Sequence, residues 1–275
     1  MTFGSHLEDA IDKHGSLCVG IDPHAELLRD WGLPVSVEGL RSFTETCVAA
    51  FAGTVGIVKP QSAFFEVFGS AGIAVLESAI RELRVAGTLV LLDVKRGDIG
   101  STMEAYARAY LDKDAPLASD AITVSPFLGV GSLDPAFDLA TAQDAGVFVL
   151  ALTSNKEGPQ FQHARTEDGR TVGQTVVDEV ASRNDGATPL GSFGLVVGAT
   201  IGQTGTDFSV LNGPILSPGV GAQGGTPRDV RRIFGDAARN VLPSLSREVL
   251  RRGPDVAGLK AAVEQQRDAF GFLRA

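Results

Sequence analysis

The chain has 275 residues, 44% of them apolar and 21% charged, and a net charge of −9. This can fill one α/β barrel, which typically takes about 250 residues. The acidic balance argues against sequence-independent binding to DNA or RNA, which rests on a basic surface, so any phosphate ligand must be held in a local pocket.

Short β-rich runs alternate with amphipathic stretches along the chain. Strands are predicted at 17–21, 56–59, 89–94, 121–124, 147–152, 194–197, 214–217 and 240–244. Helices are predicted at 37–51, 69–86, 102–111, 133–144, 172–183, 203–211, 227–234 and 255–270. Eight strands, each followed by a helix, is the pattern of a (β/α)8 TIM barrel, here a single domain over residues 1–275. The strands are near-continuous apolar runs, as when both faces are covered. A doubly wound open sheet would show a Gly-rich turn after the first strand, and Asp22-Pro23-His24 is not one. Irregular insertions at 22–36 and 154–170 both follow a strand and so fall on the C-terminal face, where barrel enzymes keep their active sites.

Residues 1–9 lack the basic start and apolar run of a secretory signal. No apolar stretch approaches the roughly 20 residues that cross a bilayer. Cys18 and Cys47 lie in apolar surroundings without CxxC spacing, as expected of buried thiols in a reducing cytoplasm. His6, His14, His24 and His163 show no metal-ligand spacing, and no metal site is expected.

Polar and ionisable groups gather where the strands end. Strand one runs into Asp22, strand two into Lys59, and strand three into Asp93 and Lys95, with Asp98 three residues further on. Strand four ends at Ser125, strand five at Thr153, Ser154 and Asn155, and strand eight leads to Arg247. One such group could merely cap a strand; convergence of several on one rim points to a site. Asp93 and Lys95, two apart, share a face, while Arg96 alternates away. A lysine between carboxylates stays protonated, which excludes a Schiff-base role and favours a fixed ammonium that stabilises negative charge and donates a proton. A glycine-rich stretch such as 219–225 is often only a turn, but loops after strands seven and eight commonly bind phosphate in barrels. Arg247 would add a bidentate charge partner. Arg228, Arg231, Arg232, Arg251 and Arg252 read as solvated helix faces.

At these residues the sequence resembles a known family. Asp93-Val94-Lys95-Arg96-Gly97-Asp98-Ile99-Gly100-Ser101-Thr102 is similar to the DxKxxDIxxT signature of orotidine 5′-phosphate decarboxylases. Gly20-Ile21-Asp22, Val58-Lys59-Pro60-Gln61 and the stretch from Ser217 through Pro218-Gly219-Val220-Gly221-Ala222-Gln223 to Gly225 resemble its strand-one aspartate, strand-two lysine and phosphate-gripping loop. Ser125-Pro126-Phe127-Leu128-Gly129 and Thr153-Ser154-Asn155 look like the family's longer branch. The resemblance implies a cofactor-free decarboxylase that takes orotidine 5′-phosphate to UMP. Lys95 would be the proton donor, with Asp93 beside the substrate carboxylate and Asp22 and Lys59 holding the ribose hydroxyls. Ser154 would bind the pyrimidine amide edge, and Gln223 and Arg247 the phosphate. Asp98, with Thr102 close behind, would enter the neighbouring subunit's site, which implies a homodimer. Two rivals remain: a metal-dependent barrel acting on a keto-sugar phosphate, and a catalytically silent phosphate-binding barrel. Lys59 stands where the first would need a carboxylate, and the silent barrel has no need of Asp22, Lys59, Asp93, Lys95 and Asp98 together.

Overall fold

The computed structural model describes residues 1–221 and 224–274. Its strands form a closed, all-parallel barrel in sequence order, with β8 pairing back onto β1. They are β1 Cys18–Ile21, β2 Ile57–Pro60, β3 Leu89–Arg96, β4 Ala121–Val124, β5 Gly146–Leu152, β6 Phe193–Val197, β7 Ile215–Pro218 and β8 Val241–Leu245. Each lies within two residues of its predicted span.

The helices are α1 Phe3–His14, α2 Ala25–Asp30, α3 Val37–Phe51, α4 Ala63–Glu66, α5 Gly69–Val85, α6 Gly100–Leu111 and α7 Asp134–Ala142. They continue with α8 Pro159–Gln162, α9 Val172–Arg183, α10 Pro227–Phe234, α11 Arg247–Leu250 and α12 Val256–Ala269. Local chemistry sets their ends. Thr226 and Asp229 close a capping box on α10 with Pro227 in its first turn, Thr171 caps α9, and Asp255 caps α12. No described helix is long and apolar enough to cross a membrane.

The helix predicted at 203–211 is absent. Phe208 and Leu211 are buried at helical spacing, but Gly202 and Gly205 both take a φ of +73°, which breaks a right-handed helix before it starts. The Gln174 side chain of α9 then holds both backbone groups of Asp207, accepting from its N–H at 2.8 Å and donating to its carbonyl at 3.3 Å. β6 is therefore joined to β7 by an irregular segment. The two insertions carry short helices: α2 lies in the first and α8 in the second.

Alternation along the strands divides the core. One shell lies between strands and helices, with Val19, Val58, Leu92 and Ile122 among its members. The barrel interior holds Cys18, Ile57, Leu91, Ala121, Phe148, Leu216 and Leu242. α1, which no prediction anticipated, supplies Phe3, Leu7 and Ile11 to this inner cluster. The Phe3 ring meets Phe148 edge-on at 6.1 Å. A Cβ at position 146 would lie 2.5 Å from that ring, so only glycine lets Phe3 sit there.

One step further toward the C-terminal end, the same inward positions turn polar. With a period of two, Cys18 leads to Gly20 and Asp22, Ile57 to Lys59, Leu91 to Asp93, Ala121 to Thr123, and Leu242 to Ser244. An apolar floor thus supports a charged layer.

Candidate active site

A cavity of about 690 Å³ opens above that layer, within the range of small-molecule pockets. Asp22, Lys59, Asp93, Lys95, Ser154 and Arg247 all line it. Gln61, His24, Phe64, Gln162, Ser244 and Ser246 line it too, and none of these was singled out from sequence. A second cavity of about 560 Å³, between α5 and the 112–120 segment, contains none of the predicted residues.

The floor of the cavity is an ionic chain. Lys59, 5% exposed, places Nζ 3.2 Å from Asp93 Oδ2 and 3.7 Å from Asp22 Oδ1. Lys95 Nζ donates to Asp93 Oδ1 at 2.6 Å, and its side chain is 45% exposed. Burial alone would raise the Asp93 pKa, but Lys59 and Lys95 outweigh it and hold the carboxyl well below its ordinary range. Burial alone would likewise lower Lys59, yet Asp22 and Asp93 together hold it above its ordinary value. Beneath them the Cys18 thiol is pushed up to about 12, chiefly by burial, and stays protonated.

This corrects one expectation. Within a single chain the lysine between two carboxylates is Lys59, not Lys95. Asp98 does not line the cavity; its Oδ1 accepts from the Ile99 N–H at 2.8 Å. The reason is local. Between Leu92 and Arg96, β3 bulges against β4, and Lys95 takes a φ of +46°, which turns the chain outward before Asp98. Thr102, in the first turn of α6, is exposed and also outside the cavity. Arg96 is structural, as expected: it donates to Glu66 at 2.7 Å and lies over the Tyr106 ring.

On the opposite rim Ser154 packs against Gly198, where a Cβ would come within 3.1 Å. The Gln162 side chain, from α8, accepts from the Thr153 N–H at 2.9 Å and donates to Thr153 Oγ1 at 2.7 Å. His24 packs against Phe64 with ring centroids 4.1 Å apart and planes tilted by 56°, and both line the cavity. Asp22 Oδ1 and Ser246 Oγ are buried without hydrogen-bond partners. Arg247 opens α11 and makes no ion pair with any described residue. Gln223 lies outside the described residues. The Gly221 and Gly225 amides donate within the 219–225 loop, at 2.9 and 3.0 Å, and so does Gly224 at 2.7 Å. Those three amides are engaged within the loop.

Among the described residues no three His, Cys, Asp or Glu side chains group so as to hold a metal ion. The space between Asp22 and Asp93 is taken by the Lys59 ammonium.

Residues 15–262 match the family described as Orotidine 5′-phosphate decarboxylase / HUMPS. The chain belongs to this family. It is 61% identical over 264 residues to orotidine 5′-phosphate decarboxylase of Salinispora arenicola, covering 96% of this chain and 95% of that one. It is 52% identical to the Corynebacterium glutamicum enzyme of the same name, over 100% of both chains. A crystal structure assigned as the Streptomyces avermitilis decarboxylase superposes with a TM-score of 0.97 at 55% identity, covering 100% of this chain and 96% of that chain. The family's DxKxxD signature falls on Asp93, Lys95 and Asp98, at the cavity floor and the bulge beside it.

Proposed function

We propose that the protein decarboxylates orotidine 5′-phosphate to UMP, the last step of de novo pyrimidine nucleotide synthesis, in the cytoplasm and without a cofactor. The observation that carries this reading is the chain Asp22–Lys59–Asp93–Lys95 on the cavity floor. The bond from the pyrimidine ring to its carboxylate breaks, CO2 leaves, and the electron pair stays on the ring carbon. The Lys95 ammonium, preorganised by Asp93, stabilises that charge and then gives up a proton to it. Lys95 regains its proton from solvent. Asp93 faces the departing carboxylate, Asp22 and Lys59 hold the ribose, Ser154 binds the amide edge, and Gln223 and Arg247 grip the phosphate. Phosphate binding, remote from the reacting carbon, can be expressed mainly at the transition state.

The metal-dependent reading is disfavoured because Lys59 already supplies the positive charge between Asp22 and Asp93, where a cation would have to bind. We further propose a homodimer in which Asp98 and Thr102 complete the partner's site. Ile99, beside Asp98 in the chain, and Phe127 and Leu128, on the loop after β4, are exposed apolar residues. The test is an ultraviolet assay of the purified chain with orotidine 5′-phosphate and EDTA. Turnover is expected. Activity that appears only on adding Mg2+ restores the metal-dependent reading, and no activity under either condition leaves the silent barrel.

A further inference from the structure

Thr123 has no place in the family signature and does not line the cavity, yet it stands in contact with both principal groups. It points inward from β4 and is 1% exposed. Its hydroxyl donates to Asp93 Oδ1 at 2.7 Å and accepts from the Lys95 N–H at 3.0 Å. Asp93 Oδ1 in turn receives the Lys95 ammonium at 2.6 Å. The contacts close a ring: Lys95 backbone, Thr123 hydroxyl, Asp93 carboxylate, Lys95 ammonium.

The ring matters because of how Lys95 is held. Its φ of +46° is a conformation that residues with a side chain seldom adopt, and it persists only where surroundings fix it. The bulge in β3 takes Lys95 out of the regular pairing with β4. Its N–H is given to the Thr123 side chain instead. The same hydroxyl donates its one proton to the carboxylate oxygen that orients the ammonium, so backbone bend and charge position are set by one group. A methyl in that place would leave a buried N–H and a carboxylate oxygen each short of a partner.

We propose that Thr123 is the positioning residue for Lys95 and Asp93, holding the ammonium at the reacting carbon without touching substrate. The inference rests on the Lys95 reading above. Thr123→Val keeps the shape and removes the hydroxyl, whereas Thr123→Ser keeps the hydroxyl. Loss of hydrogen bonds to a charged pair predicts a fall in kcat of about 10- to 100-fold. KM and the calorimetric Kd for UMP should stay within about 3-fold, because the bond lost serves the proton donor and not the ligand. Thr123→Ser should recover kcat to within about 3-fold of the parent.

Full activity in Thr123→Val overturns the inference. So does a loss that serine fails to rescue, or one carried by KM and UMP affinity. Should the valine variant not fold in a thermal melt, Thr123→Ala is read by the same criteria. Lys95→Ala, assayed in parallel, separates the two layers. If it turns over, the Lys95 reading falls and this inference with it; if it is dead while Thr123→Val is normal, only the role of Thr123 falls.

Discussion

Lys59, Asp93, Lys95 and Thr123 stand within β2, β3 and β4 and Asp22 one residue past β1, whereas from β5 to β8 the candidate groups stand two or more residues past their strands. Asp22, Lys59, Asp93 and Thr123 are buried, and they are tied to one another or to Lys95 by contacts of 2.6 to 3.7 Å. Across the rim, Ser154 and Arg247 lie past the ends of β5 and β8, and the 219–225 loop past β7. A strand fixes a side chain as firmly as the barrel itself, whereas a loop can adapt to a ligand and close over it. The reading is that the first half fixes the reacting atoms and the second half supplies grip.

The largest effect should come from the first half. Lys95→Ala and Asp98→Ala are each expected to lose about 10⁴-fold in kcat, the scale of general acid catalysis with electrostatic stabilisation. In a mixed dimer one site lacks both groups and the other has both intact. Random exchange makes about half the dimers mixed, so activity should return to roughly a quarter of the parent. Mixed dimers confirmed by native mass spectrometry of tagged chains, yet inactive, would show that Asp98 serves its own subunit.

The next largest effect concerns stability. Lys59→Met leaves Asp22 and Asp93 buried around an uncharged side chain, at a cost of about 3–5 kcal/mol for breaking a buried pair. Asp93 is held low in the folded state, so its contribution is present above the unfolded value of about 3.9 and lost as pH falls toward its folded pKa. Lys59 is held high, so its contribution is present below about 10.4 and lost as pH rises through its folded pKa. Both are in full force at neutral pH. Without Lys59 the Asp93 carboxyl ionises less readily, and the stability deficit should widen from pH 4 to pH 7. Calorimetric melts at the two values check this. An equal deficit at both would mean that Lys59 serves by packing.

The first half was also the more legible in sequence, for a physical reason. An ionisable residue inside an apolar strand run is conspicuous, and the period of two assigns it a side, so Asp22, Lys59 and Asp93 could be placed inside the barrel without coordinates. Thr123 was invisible because threonine is an ordinary strand residue. The bulge after Leu92 and the outward turn at Lys95 were not foreseen, because a bulge leaves no mark in the pattern. In the second half, Arg247 was found from its position after β8. Gln162 was not, since the 154–170 insertion has no period to read. The helix expected at 203–211 failed because two apolar residues outweighed two glycines in the reading.

Arg247 tests the grip. Arg247→Ala should cost about 1.5–3 kcal/mol in kcat/KM for the nucleotide, the scale of one charge-assisted contact. Turnover of orotidine, which lacks the phosphate, should hardly change. An equal loss on both substrates would place Arg247 at the chemistry and erase the contrast between the halves.

The smallest effect belongs to Gln162 and gives the contrast its finest test. Its side chain binds both the N–H and the hydroxyl of Thr153, and Thr153 Oγ1 donates on to Asn155 at 2.6 Å. Ser154 lies between these two residues, so Gln162 fixes the turn that presents it. Gln162→Ala removes hydrogen bonds between partly buried neutral groups, worth about 1 kcal/mol, or roughly 5-fold. If the turn supplies grip alone, that loss falls on KM and on the Kd for UMP, and kcat stays within about 2-fold. Steady-state kinetics with UMP calorimetry separate the two parameters. A Gln162→Ala variant that loses kcat while binding UMP normally would show that the loop side also holds the ring against Lys95. The division between a rigid reacting half and an adaptable gripping half would then be drawn in the wrong place.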